Sequence, residues 1–243
     1  MTAYNIIKVN ATKSTNDKVK MLIKSKKINN KDVISAKYQY KGKGQLARRW
    51  FSSYGNNLLC SLYLEFTKDF KSPIYALNFA TSLSVLKTVN FFSKEKSFIK
   101  WPNDILSVDK KISGILIENL FKGKKLMGSI IGVGINVNQI TFPENYNAIS
   151  MKIIMKNVFS LNKVLHKFLD IFSHNIILYK DFDLLLKDFN KSFYRKNEFL
   201  EYKIKGNSKR GKIIGLYDYE RFQILNLNGV KETPKITDIK IIY

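Results

Sequence analysis

KKISGILIENLFKGKKLMGSIIGVGINVN, residues 110–138, holds two apolar, β-branched runs parted around Gly123. They read as a strand pair, and a sheet follows as the frame of the fold. Two features of this pair look beyond packing. Glycine weakens a strand interior, so Gly132 and Gly134 mark either a bent strand or a place where a ligand or another chain comes close. Lys111, followed by Gly114, can project its ammonium into a site lined by backbone; the plainer reading is a solvated Lys110–Lys111 pair closing a hairpin. Asn136 adds one amide donor and one acceptor.

Upstream lies KWPND, residues 100–104, which fits neither a helix nor a regular strand. Proline fixes its own φ and pushes Trp101 towards an extended conformation, and Asn and Asp favour turns, so a turn is the simplest account. Further out, YNIIKV within Met1–Asn10 reads as a short strand. KSTNDKVKMLIKSKKI places Val19, Leu22 and Ile23 at helical spacing behind an N-cap signal at Lys13–Asp17. A helix start also presents free N–H groups to a ligand. DVISAKYQY and NNLLCSLYLEF read as strands; PIYALNFATSLSVLKTVNFF is apolar nearly all round and reads as a buried helix. From Leu161 to Asn190 the chain returns to helix, with Leu165, Leu169 and Phe172 at three- and four-residue spacing. The tail is β-rich, with turns at Gly206-Asn207, Asp218-Tyr219 and Asn228-Gly229, which suggests a small barrel or sandwich packed on the main body. The division expected is 1–194 and 195–243.

Between the second and third strands stands KGKGQLARRW, residues 41–50. Gly42 and Gly44 permit close backbone approach, and Lys41, Lys43, Arg48 and Arg49 surround them, so the loop can wrap a phosphate or carboxylate. It lacks the spacer and the Gly-Lys-Ser/Thr ending of a P-loop. A mobile basic surface turn is the alternative.

The 243 residues allow one large domain or a main domain with an appendage, at 45% hydrophobic and 25% charged content. No apolar run is long enough for a membrane span, and no signal segment opens the chain, so a cytoplasmic protein is the default expectation. The lone Cys60 excludes an intrachain disulfide and a cysteine zinc site. His166 and His174, eight apart on a helix, suit packing rather than a metal pair. The net charge is +23 (42 basic minus 19 acidic residues), which favours anionic partners. The cations are scattered lysines in a chain rich in Ile, Asn, Phe and Tyr, a bias that AT-rich codons produce. A nucleic-acid binder would add a recognisable module, and none is seen.

Taken in order, STN at 14–16, GKGQLARRW at 42–50, KWPND at 100–104, KISGILIE at 111–118 and GVGIN at 132–136 resemble the biotin–protein ligase family. The resemblance implies an α+β fold, a mixed sheet flanked by helices as in class II synthetases, with a small SH3-like C-terminal barrel. It implies a reaction in two steps using ATP, biotin and Mg²⁺: biotinyl-5′-AMP forms, then biotin passes to a lysine of a biotin carboxyl carrier protein. Preorganised cations and N–H groups suit both steps, because negative charge develops on phosphate and carboxyl oxygens.

Carried over residue by residue, the resemblance makes Lys111 and Arg48 catalytic and gives Asp104 to the metal. Ser14, Thr15 and Gln39 are expected to hydrogen-bond the ureido ring of biotin. Asn103 and Asn136 are expected at the nucleotide, and Gly42, Lys43, Gly44 and Gln45 in the loop that orders over the ligands. Asn16, Trp101 and Gly114 complete the ligand-lining set, with Trp50 and Trp101 as packing anchors. Lys43, Gln45 and Ala47 depart from the family's Arg, Arg and Gly, and Lys43 loses the bidentate fork. The motifs begin at residue 14, leaving no room before them for the DNA-binding region of some members. A monomer or homodimer without membrane or specific DNA contacts is expected. The rivals are lipoate–protein ligase or octanoyltransferase chemistry, whose Arg-Arg-x-Ser-Gly-Gly-Gly run is absent, and a non-enzymatic basic nucleic-acid binder.

Overall fold

The computed structural model describes residues 4–66, 74–178 and 181–243. Met1–Ala3 of the first expected strand, Pro73 of the expected buried helix, and residues 179–180 of the last helical stretch lie outside them.

Residues 110–138 do form the central hairpin. Strands β6 (Lys110–Lys122) and β7 (Lys125–Asn136) turn at Gly123 and pair antiparallel, with Gly114 opposite Gly134 and Leu116 opposite Gly132. On one side they continue into β3 (Asn57–Glu65), β2 (Asp32–Gln39) and β1 (Asn5–Thr12); on the other, into β5 (Asp104–Ser107) and β4 (Ser97–Lys100). The result is a seven-stranded sheet in the order β1-β2-β3-β7-β6-β5-β4, mixed because β1 and β2 are parallel.

Alternation along the strands sends Val33, Leu62, Ile131 and Val133 to one face. There α2 (Ile74–Phe92), α4 (Leu161–Leu178) and α5 (Phe182–Lys191) bury them with Phe79, Phe168, Phe172 and Phe189. On the other face a smaller cluster around Val19, Ile34 and Ile130 seats helix α1 (Thr15–Lys24). Helix α3 (Met151–Met155), which the sequence reading does not contain, is one short turn capped by Ser150. The helical return over Leu161–Asn190 is two helices, because Asp181 accepts hydrogen bonds from the backbone N–H groups of Asp183 and Leu184 and starts α5 afresh.

A five-stranded antiparallel sheet, β11-β10-β9-β8-β12, runs from β8 (Phe199–Ile204) through β9 (Asn207–Leu216), β10 (Phe222–Asn226) and β11 (Lys231–Glu232) to β12 (Ile239–Ile242). It shares the main core. Phe222 meets Trp101 at 5.1 Å and Phe193 at 6.0 Å between ring centroids.

Two local expectations are corrected. Lys100 and Asp104 are not loop residues: they end β4 and begin β5 and pair across the turn made by Trp101, Pro102 and Asn103, where the Trp101–Pro102 peptide is cis. Ser14 does take the N-cap position of α1, with extended backbone, but its side chain makes no capping hydrogen bond.

Candidate active site

The cleft, about 1100 Å³ in volume, opens above the β6–β7 hairpin at its junction with β4, β5 and the C-terminal sheet. Its geometry starts from glycine. Gly114 and Gly134 face each other across the hairpin, and the indole of Trp50 lies on both. A Cβ at Gly134 would stand 2.7 Å from Trp50 Cε2, and one at Gly114 would stand 2.9 Å from Cζ3. Glycine at 134 therefore admits the chain's own tryptophan, a third account beside the bent strand and the approaching ligand.

Trp50 in turn flanks Lys111, whose Nζ is 5.5 Å from the ring centroid and 2.7 Å from Asp104 Oδ1. The lysine pair divides: Lys110 is exposed at the hairpin closed by Val108 and Asp109, both at positive φ, whereas Lys111 turns into the cleft. Its backbone is pinned from both sides, by Lys111 N to Asn147 O (2.9 Å) and Ile149 N to Lys111 O (3.0 Å). Asn136 sits behind it, buried. Asn136 Nδ2 donates to Lys111 O at 3.3 Å and Ile149 O at 3.1 Å, so the amide tethers the strand from outside the cleft lining. Asn103 lines the cleft while donating from Nδ2 to Ile115 O at 2.7 Å. Trp101 borders the cleft with one edge and packs on Phe79, Phe189 and Phe222 with the rest.

At the other end Thr15 and Gln39 form one unit. Gln39 Oε1 accepts from Thr15 N (2.6 Å) and Thr15 Oγ1 (3.0 Å), which commits the amide oxygen and leaves Nε2 for a ligand acceptor. Ser14 and Asn16 line the same end, both buried.

The glycine-spaced loop closes on itself as a flap. Trp50 N donates to Gly42 O at 3.0 Å and Gly44 N to Arg48 O at 2.7 Å, around a 3-10 turn over Gln45–Ala47. Lys43, Gly44, Gln45 and Arg48 line the cleft; Gly42 stands at the hinge outside the lining. Arg48 has no carboxylate partner among the described residues, so its charge is available to an anion. Lys43 is engaged: its Nζ is 2.7 Å from Asp17 Oδ1, while Asp17 Oδ2 is buried without a partner. A lysine offers one point of contact where an arginine fork offers two. This pair is a partly exposed latch worth about 0.2–1 kcal/mol. Asp17→Asn is expected to speed tryptic cleavage at Lys43, Arg48 or Arg49 by about two- to fivefold, with less effect in high salt. Equal cleavage rates at low salt would remove the latch.

The sequence reading missed several residues. Asp17 and Glu118 lie inside the KSTND and KISGILIE stretches, and a carboxylate in the first turn of a helix is the available signal for the first. Tyr146, Lys203, Lys240 and Tyr243 enter the cleft through tertiary packing and carry no local signal. Tyr194 donates to Asp109 at 2.8 Å, and burial, helped by that carboxylate, pushes its phenol above the ordinary tyrosine range.

Among the described residues no three His, Cys, Asp or Glu side chains gather around one point. Asp104, already paired with Lys111, supplies a single hard oxygen. That donor set fits Mg²⁺ only where phosphate oxygens and water provide most of the shell.

A helix-flanked mixed sheet whose cleft joins a cationic loop to a lysine–aspartate pair defines an α+β domain with a site suited to anions. The model of the biotin/lipoate A/B protein ligase family matches residues 9–136, more than half of the chain, and the protein belongs to that family. The bifunctional ligase/repressor BirA of Salmonella typhimurium is 33% identical over 106 residues, covering 44% of this chain and 33% of that protein. The biotin--[acetyl-CoA-carboxylase] ligase of Paracoccus denitrificans is 27% identical, with 43% of each chain covered. The match thus spans about a third of the BirA length and under half of the Paracoccus protein. The biotin protein ligase from Aquifex aeolicus in complex with biotin and ATP superposes with a TM-score of 0.84 at 26% identity, over 98% of both chains.

Proposed function

We propose that this protein is an ATP-dependent biotin–protein ligase acting on a biotin carboxyl carrier protein. The observation that carries the reading is the convergence, in one cleft, of the Lys111–Asp104 pair, the Arg48 flap and the Ser14–Thr15–Gln39 cluster. The likeness to the Aquifex aeolicus ligase over nearly its whole length supports it.

In the first step a carboxylate oxygen of biotin attacks the α-phosphorus of ATP, and the bond to the β-phosphate bridging oxygen breaks to release pyrophosphate. Lys111 holds the two anions together and offsets charge on the non-bridging oxygens; Arg48 neutralises the phosphates from the flap side. Gln39 Nε2 and the Ser14 and Thr15 hydroxyls meet the ureido ring. Mg²⁺, when bound, would neutralise phosphate charge beside Asp104. In the second step the carrier's lysine amine attacks the acyl carbon of the mixed anhydride, AMP leaves, and the amine gives up a proton. Trp50 shields the anhydride from water.

None of the helices among the described residues is long and apolar enough to cross a membrane, in keeping with an encounter with a soluble carrier. The high basic charge would favour an acidic one. The test is biotin-dependent pyrophosphate release followed by label transfer to a carrier domain. Transfer of lipoate without biotin would give the reaction to the lipoate side of the family, and salt-sensitive nucleic-acid binding without adenylate would end the enzymatic reading.

A further inference from the structure

Asn16, buried at 2% exposure, has both of its amide protons committed to the chain itself. Its Nδ2 donates to Leu116 O at 3.2 Å and to Glu118 Oε2 at 2.8 Å. Its Oδ1 lies within hydrogen-bond distance of Ser61 Oγ, whose single proton is shared between Asn16 and Thr15 Oγ1. Its carboxamide also occupies the space that a Cβ at Gly132 would take. Glu118 spends its second oxygen on Lys20 Nζ at 2.6 Å, one helical turn further along α1. One carboxylate on β6 therefore grips α1 at two points.

That grip matters because it ties α1 to β6, whereas its other polar anchors reach β2, β3 and the flap through Thr15 and Asp17. The rest of its seat is apolar, built around Val19, Ile34 and Ile130, and its N-cap serine makes no capping bond. Apolar contact is non-directional and tolerates sliding, whereas a satisfied buried amide has one register. Ser14 and Thr15 immediately precede Asn16 and carry the hydroxyls at this end of the cleft.

We propose that Glu118, acting through Asn16, is a positioning residue that sets the Ser14 and Thr15 hydroxyls for the ureido group of biotin, and that Asn16 itself is not a ligand contact. The proposal rests on the biotin-ligase reading above. It makes the carboxylate of the KISGILIE stretch serve binding of one substrate and not the chemical step, since Lys111 lies seven residues earlier on β6, paired with Asp104 of β5, and Glu118 faces α1.

The experiment measures KM for biotin, KM for ATP and kcat from pyrophosphate release, on the whole chain. Glu118→Ala is expected to raise the biotin KM about tenfold, with ATP KM within about twofold and kcat within about threefold. Glu118→Gln keeps an acceptor for Asn16 and is expected to return the biotin KM to within about threefold of wild type, although the Lys20 pair is lost. An unchanged biotin KM in Glu118→Ala, an equal rise in both KM values, or a glutamine variant as impaired as alanine would each overturn the proposal. Should Glu118→Ala fail to fold by circular dichroism, Glu118→Asp decides the matter, because it keeps the charge but draws the carboxylate back from Asn16 by one methylene. The same selective rise is expected there, and its absence overturns the proposal. Wild-type protein that shows no biotin-dependent melting shift would sink the functional reading as a whole. A normal wild-type shift, with an equal one in Glu118→Ala, would sink this inference alone.

Discussion

Lys111→Ala is expected to cut biotin-dependent pyrophosphate release by about a hundred- to a thousandfold, the usual cost of deleting one preorganised group that meets developing charge. The fold should survive. The lysine is about a third exposed, and its pair with Asp104 resembles surface pairs worth under about 1 kcal/mol. The loss comes instead from what the ammonium is prepared to do. It is held at 2.7 Å from Asp104 and 5.5 Å from the Trp50 ring on a strand pinned by Asn147 and Ile149, so little reorganisation is left for the moment of reaction. Removing it also leaves the Asp104 carboxylate facing incoming phosphates without a counter-charge, so the ATP KM should rise alongside the fall in kcat. Lys111→Arg should recover little and stay within about tenfold of the alanine variant. Its longer planar head must find room between Asp104 and Trp50, where arginine and lysine are not interchangeable. Circular dichroism and a melting temperature within about 3 °C of wild type would show that the fold is unaffected. Pyrophosphate release at the wild-type rate would withdraw Lys111 from the chemistry.

The sheet was legible in the sequence because its strands obey simple rules. The β6–β7 pair carries β-branched residues on both sides of a glycine turn, and α2 is apolar all round because it is covered by α4, α5 and the sheet. The division of α4 from α5 was less legible, since one Asp at 181 interrupts a helical periodicity that resumes at once. Within the site, the residues proposed to touch an anion stand out by type: a lysine at a strand start, an arginine in a glycine loop. Residues that hold those groups could not. Asn16 and Asn136 look alike as exposed-capable amides in a motif, yet both are buried and spend their donors on the chain itself. The partners that consume them are 13 to 102 residues away, and nothing in local pattern encodes a contact of that separation. The glycines of GVGIN show the same limit: the sequence announces that something comes close, and only the fold says that it is Asn16 at Gly132 and Trp50 at Gly134.

The Gly134–Trp50 contact yields the other large effect expected. Gly134→Ala adds a methyl group whose ideal position is 2.7 Å from Trp50 Cε2, 2.8 Å from Cζ2 and 3.1 Å from Nε1. Strands β6 and β7 are paired on both sides at this level, so the sheet cannot yield and the indole must. Moving it costs about 1–3 kcal/mol of overpacking, or about 2–10 °C in Tm for a chain of this size. It also costs function, because the same ring carries Lys111 on its face, and the backbone N–H of the same residue closes the flap on Gly42 O. Adenylate formation is expected to fall by about ten- to a hundredfold, since displacements of about 1 Å at a reacting group have costs of that order. The double variant Gly134→Ala with Trp50→Phe separates crowding from backbone strain. Phenylalanine lacks the fused ring atoms that the methyl group meets, so the double variant should regain most of the lost Tm and be more stable than the two single changes predict together. A Gly134→Ala protein with wild-type Tm and activity would mean that Trp50 does not lie on the hairpin, and the support assigned here to Lys111 would go with it.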